Sequence, residues 1–203
     1  MSTKIIFATG NKDKLREFRQ ILQDEDVTIL SMKEAGFEGD IEENGTTFEE
    51  NALIKARTIA GKCHLLTLAD DSGLEVDYLN KEPGVYSARY LGEDTPHSVK
   101  NASLIERLAG VEGEARSARF VCAVAAVFPD GHEEVLRRTM EGQIAHAPAG
   151  ENGFGYDPIF YLPDRGCTNA ELTPKEKNKI SHRGKALRAM CDLLKRSGAF
   201  SGS

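Results

Sequence analysis

The sequence predicts an α/β fold, a mixed central sheet with flanking helices. Two observations carry that prediction. Strand-like apolar runs alternate with helical patterns along the chain, as they do where helices cover a sheet. One hairpin signal, Pro129-Asp130-Gly131 between two strand-like runs, breaks the alternation and predicts an antiparallel pair. The 203 residues suit a single domain over residues 1–203, with a tail expected to be loose from about residue 197.

Residues 4–8 form a short apolar strand that stops at a Thr9-Gly10-Asn11 turn. Leu15, Phe18 and Leu22 then recur at helical spacing. Residues 36–45 are acidic and loop-like, and Thr47-Phe48-Glu49-Glu50 reads as a capping box. It opens a helix that buries Ala52, Leu53, Ala56 and Ile59 and ends at Gly61. Residues 65–69 read as a buried strand ending in a turn at Asp70-Asp71-Ser72-Gly73, with a separate strand over 74–78. Thr95-Pro96 predicts a cap and a first-turn proline before a helix carrying Val99, Ala102, Ile105 and Leu108. Residues 120–128 are the strongest strand, paired through the turn with 133–140. Thr173-Pro174-Lys175-Glu176 is a second capping box, and Ala186, Leu187, Met190, Leu193 and Leu194 give a final amphipathic helix.

A formal net charge of −6 argues against a general nucleic-acid binder, while leaving room for a nucleotide met by local cations. Cys63, Cys122, Cys167 and Cys191 form no C-x-x-C pair, so neither a zinc site nor a redox motif is predicted. His64, His97, His132 and His146 are isolated in the sequence. Met1-Ser2-Thr3-Lys4 leads directly into a short apolar run, and no segment reaches membrane-spanning length. The expected location is a reducing cytoplasm.

The chemistry is concentrated at Asp70-Asp71. Adjacent carboxylates repel unless a proton or a cation intervenes. Mg²⁺ often binds through one or two carboxylates plus phosphate oxygens, so the pair points to Mg²⁺ and a phosphate ester. Glu43, in the acidic loop, is a candidate second metal carboxylate, and whether Asp70 or Asp71 is the base stays open. Two helix starts carry cations where acids are preferred: Lys12, Lys14 and Arg16 in one, His182, Arg183 and Lys185 in the other. A bound anion would reconcile both. Phe154 and Tyr156, flanked by Gly153 and Gly155 and followed by Asp157, give a loop on which a base can stack.

Taken together, these pieces resemble the inosine/xanthosine triphosphate pyrophosphatase family from residue 5 to about 194. The likeness rests on four motifs in order: Thr9-Gly10-Asn11 with Lys12 and Lys14; residues 43–52, from Glu43-Asn44-Gly45 onward; Ala69-Asp70-Asp71-Ser72-Gly73 continuing to Arg89; and Phe154-Gly155-Tyr156-Asp157 with Ser181-His182-Arg183. The resemblance implies an elongated, two-lobed α/β domain with a central cleft, a homodimer, Mg²⁺ dependence and hydrolysis of ITP, dITP and XTP to monophosphate and pyrophosphate. It implies Asp71 as catalytic carboxylate and metal ligand with Glu43. It places Thr9, Gly10, Asn11, Lys12, Asp13, Lys14 and Lys177 on the triphosphate, and Ser72 beside the substrate. Phe154, Gly155, Tyr156, Asp157, His182 and Arg183 form the base pocket, with Arg183 reading the 6-oxo edge. Alternatives are a pyrimidine or modified-nucleotide pyrophosphatase on a similar fold, and a nucleotide sensor without catalysis, which would not need Asp71 and Glu43.

Overall fold

The computed structural model describes residues 2–199. Seven strands form one mixed sheet in the order β2-β1-β3-β4-β5-β6-β7: β1 Thr3–Phe7, β2 Val27–Ser31, β3 Thr67–Val76, β4 Ser117–Val127, β5 Glu133–Ile144, β6 Phe160–Leu162 and β7 Cys167–Thr168. β1 is parallel to both β2 and β3, whereas β6 is antiparallel to β5 and β7. Five α-helices accompany them: α1 Lys12–Ile21, α2 Phe48–Cys63, α3 His97–Arg107, α4 Pro174–Ile180 and α5 His182–Arg196.

The chain divides into two compact units. The first comprises residues 2–71, Cys122–Arg138 and 183–199. Its core joins Ile5, Phe7 and Leu68 of the sheet to Phe18 of α1 and to Leu187, Met190 and Leu194 of α5. Phe7 and Phe18 stack at 3.7 Å between ring centroids. Ile5, Ile6 and Phe7 are all fully buried. Successive strand side chains face opposite ways, so β1 is covered on both faces. The second unit comprises Ser72–Val121 and Thr139–His182. Leu74 and Val76 there pack with Leu104 of α3, with Leu108 at its C-cap and with Phe120, Met140 and Phe160.

Several elements depart from expectation, each for a local reason. β3 does not turn at Asp70 but runs unbroken through Asp70-Asp71-Ser72-Gly73 to Val76. α2 passes Gly61 and stops at His64, which takes the left-handed conformation (φ 53°) while its N–H donates to the Ala60 carbonyl. Only half of the expected capping box forms at its start: Thr47 Oγ1 accepts from Glu50 N, but the Glu50 carboxylate turns to Thr46. The box at Thr173 and Glu176 is complete. Pro96, not Thr95, is the N-cap of α3, and Thr95 Oγ1 donates to Leu91 O. Ser197 and Ala199, in the tail expected to be loose, donate to Leu193 O and Leu194 O and close α5, with Gly198 at positive φ. Residues 200–203 of that tail lie outside the described residues.

Arg116 ties the second unit together. Its buried guanidinium donates to four backbone oxygens: Ile144 O at 2.7 Å, Leu108 O at 3.0 Å, and Val111 O and Ala145 O at 2.9 Å. These bonds join the end of α3 to the end of β5. Arg116→Met preserves length but takes the guanidinium from all four carbonyls; Leu108 O keeps the Val111 N–H, and each carbonyl left dry and unpaired costs ~1–3 kcal/mol. The urea midpoint is expected to fall by the equivalent of at least ~2 kcal/mol, and Arg116→Lys to recover only part, because a lysine lacks the planar fork. An unchanged midpoint would mean that water replaces the guanidinium.

Candidate active site

The first cluster is built around the middle of β3. Ala8 N donates to Leu68 O, which brings the end of β1 level with Asp70. The turn that follows is fixed by its own side chains: Thr9 Oγ1 accepts from Asn11 N, and Asn11 Oδ1 caps α1 by accepting from Asp13 N and Lys14 N. Gly10 lies open, with no atom within 4 Å of where a Cβ would sit, so a ligand can approach its backbone closely. Lys12 is exposed, whereas Lys14 reaches inward to Asp70 at 3.2 Å.

Because β3 is continuous, Asp70 and Asp71 point to opposite faces and meet different partners. Asp70 is fully buried, with Lys14 on one side and Arg183 Nε at 3.4 Å on the other. Burial would raise its carboxyl, but Lys14, Arg183 and Lys55 outweigh burial and hold it well below the usual carboxylate range. Of the cations at the starts of α1 and α5, Lys14 and Arg183 thus meet a carboxylate of the protein itself. Arg183, expected at the base edge, has its guanidinium between Asp70 and Glu17 of α1 in the first unit.

Asp71 accepts from Asn51 Nδ2 at 3.2 Å. Burial raises its pKa and Glu43 adds to the rise, opposed by Lys55 and Lys14. Asn51 Oδ1 also accepts from Gly45 N, so one amide fastens the acidic loop to Asp71. That approach requires glycine: a Cβ on Gly45 would lie 2.7 Å from Asn51 Oδ1 and 2.8 Å from Glu50 Cβ. Lys55, one helical turn after Asn51, pairs with Glu43 at 2.5 Å. Its ammonium is held protonated against burial by Asp70, Glu43 and Asp71. Cys122 lies beneath Asp70, and burial pushes its thiol up, so it remains neutral.

The second cluster lies in the second unit. Asp157 is buried and accepts three hydrogen bonds: from Phe154 N at 3.0 Å, Lys177 Nζ at 2.7 Å and Asn169 Nδ2 at 3.1 Å. A Cβ on Gly153 would stand 2.2 Å from Asp157 Oδ2, and φ is +71° there, so only glycine fits. Lys177, expected on the triphosphate, sits with its ammonium 4.7 Å from the centroid of the Phe154 ring. Tyr156 is anchored by its hydroxyl on Ser87 O and by an edge contact with His97. His182 stacks on Phe120 at 4.8 Å. Ser72, the residue after Asp71 on β3, is half-buried.

Sequence reasoning missed Asn51 and Lys55. Their signal was present: spaced four apart, they share one face of α2 directly after the acidic loop. Asn169 and Glu17 gave no such signal, since their partners, Asp157 and Arg183, are distant in the sequence.

The Ham1 family profile matches residues 5–193. A dITP/XTP pyrophosphatase from Bacillus licheniformis is 48% identical over 191 residues, covering 94% of this chain and 97% of that protein. The structure of a HAM1 protein from Coxiella burnetii superposes with a TM-score of 0.86 at 42% identity, covering 96% of this chain and 99% of the other. The Staphylococcus aureus Ham1 protein gives a TM-score of 0.85 at 39% identity, covering 96% and 100%.

The two neighbouring carboxylates are expected to differ in what their loss does to stability. Asp70→Asn leaves Lys14 and Arg183 without their shared counter-charge, and breaking a buried pair in this way costs about 3–5 kcal/mol. Asp71→Asn removes a carboxylate whose ionised form burial and the nearby Glu43 disfavour in the fold, so the melting temperature should hold or rise. Thermal unfolding of both variants checks the contrast, and the reverse order would contradict the assignment.

Proposed function

The chain belongs to the Ham1 family, and from that membership we propose that it hydrolyses non-standard purine nucleoside triphosphates, namely ITP, dITP and XTP, to the monophosphate and pyrophosphate. The observation that carries the reading is the state of Asp71. It is a mostly buried carboxylate of raised pKa, coupled to a second carboxylate and flanked by lysines. That combination suits a group that takes a proton from water beside a phosphate.

The reading includes a Mg²⁺ ion held by Glu43 and Asp71. The donor set supports it: in the first cluster Glu17, Glu43, Asp70 and Asp71 outnumber Lys14, Lys55 and Arg183 by one. Among the described residues no three His, Cys, Asp or Glu side chains converge as a complete metal cage, which fits an ion that borrows phosphate oxygens from its substrate. When bound, such an ion neutralises phosphate charge and acidifies water.

The remaining roles fall to the chain's own groups. Asp71 accepts the proton of a water that attacks the α-phosphorus. Asn51 keeps the Asp71 carboxylate in place, while Asp70, locked by its ion pairs, holds Lys14 without competing for the proton. Lys12, Lys14 and the backbone of residues 9–13, opened at Gly10, take the charge of the triphosphate, with Ser72 next to Asp71. Phe154 stacks the base, and Gly155, Tyr156, Asp157, Lys177 and His182 shape its surroundings. Arg183 acts by holding Asp70. Hypoxanthine and xanthine carry a 6-oxo acceptor where adenine has a 6-amino donor, so fixed donors in the pocket penalise adenine.

A homodimer and a cytoplasmic location complete the reading. Tyr78, Tyr86, Leu91 and Val99, all in the second unit, are large apolar side chains left exposed. All four cysteines are free, and among the described residues no helix is long and apolar enough to cross a membrane.

Purified protein with ITP, dITP, XTP and ATP tests the activity. Pyrophosphate release from the first three, little from ATP and arrest by chelator are expected. Orthophosphate as product, or ATP as best substrate, would refute the reading. Light scattering should give twice the chain mass; a monomer mass would refute the dimer.

A further inference from the structure

Helix α3 takes no part in the assignments above, yet one of its faces grips the segments around the aromatic loop. His97, Lys100 and Asn101 follow at i, i+3 and i+4 and therefore share a face. The His97 ring packs edge-on against Tyr156 at 5.0 Å between centroids. Its Cε1 lies 3.7 Å from where a Cβ on Gly155 would be. Lys100 Nζ, almost fully buried, donates to Ala88 O at 2.6 Å, next to the Ser87 carbonyl that receives the Tyr156 hydroxyl. Asn101, 4% exposed, donates through Nδ2 to the carbonyl of Gly155 at 3.2 Å.

The Asn101 bond has a stereochemical consequence. The peptide joining Gly155 to Tyr156 is planar and trans, so fixing its carbonyl towards Asn101 sends its N–H in the opposite direction. That N–H belongs to Tyr156. Neither it nor the N–H of Gly155 has a hydrogen-bond partner among the described residues. Gly155 has φ +64°, and Tyr156 has φ −88° and ψ 2°. With Asp157 N bonded to Phe154 O, these angles are those of a type II′ turn, in which glycine's positive φ lets the central peptide present its carbonyl to Asn101 and its N–H away from it. The Tyr156 N–H lies two residues after Phe154, the proposed stacking residue.

We propose that Asn101 is a positioning residue for base selectivity: by holding the Gly155 carbonyl it aims the Tyr156 N–H as a donor for the 6-oxo oxygen of the purine. The inference rests on the proposed base site at Phe154 and adds to it a source of discrimination that touches no substrate. An adenine 6-amino group in the same place would set donor against donor, whereas a loosened peptide could turn its carbonyl towards that amino group.

The test measures kcat and KM for ITP and for ATP on the wild type, Asn101→Asp and Asn101→Ser. Asp matches Asn in size but has no N–H to give, and its charge repels the Gly155 oxygen. Ser adds no charge and is too short to reach it. Both variants are expected to lower the ITP/ATP ratio of kcat/KM by about tenfold or more, the scale of one lost hydrogen bond. The change should appear mainly in KM for ITP, with kcat for ITP largely kept. A merely structural role would depress both substrates by a common factor, and that result, or an unchanged ratio in whichever variant folds, overturns the role of Asn101. A wild type that does not distinguish ITP from ATP would instead refute the functional reading, and the inference with it.

Discussion

The site depends on how one strand carries two adjacent carboxylates through a protein interior. Two neighbouring acids on a buried strand repel each other and lose hydration, and either effect alone would protonate one or end the strand. The chain resolves this with Asp70. Lys14 from the start of α1 and Arg183 from the start of α5 meet on it, so a full negative charge is tolerated without water. With Asp70 satisfied, β3 continues, and Asp71 emerges on the other face, where the neutral amide of Asn51 donates to it. Asp70 thus serves the architecture, and the proposed chemistry falls to Asp71.

The same logic explains the supporting residues. Asn51 has a donor and an acceptor on one amide, so it fastens both Asp71 and the acidic loop through Gly45. Lys55 pairs directly with Glu43 and offsets the charge of Asp71 from further away. In the second unit Asp157 plays the part that Asp70 plays in the first. It is saturated by Phe154 N, Asn169 and Lys177 and so shapes the loop in which the aromatic rings sit. In both units a buried acid builds the frame, and the functional groups are its neighbours.

Much of this was legible in the sequence wherever the signal is local. The Thr9-Gly10-Asn11 turn, the Thr173 capping box and the hairpin at Pro129-Asp130-Gly131 depend on residues within a few positions of one another. The extent of β3 was not legible, because Asp70-Asp71 reads as a strand end unless one knows that Lys14 and Arg183, 56 and 113 residues away, neutralise it. The position of Arg183 was hidden for the same reason: a cation at a helix start looks like an anion site until its carboxylate partner is located. Lys177 was placed on the triphosphate by the family resemblance alone; its contacts with Asp157 and the Phe154 ring, 20 and 23 residues away, leave no local trace in the sequence. The short strands β2, β6 and β7 lack a strong alternating pattern and take their conformation from their neighbours in the sheet.

The central claim is that Asp71, and not Asp70, carries the chemistry. The most direct measurement is kcat for ITP in Asp71→Asn, taken below its melting temperature alongside a melting curve of the same preparation. The account predicts a loss of about 10²–10³-fold, the scale for one preorganised electrostatic group, in a protein that unfolds no earlier than the wild type. Near-normal turnover in that folded variant would contradict it and return the catalytic role to Asp70.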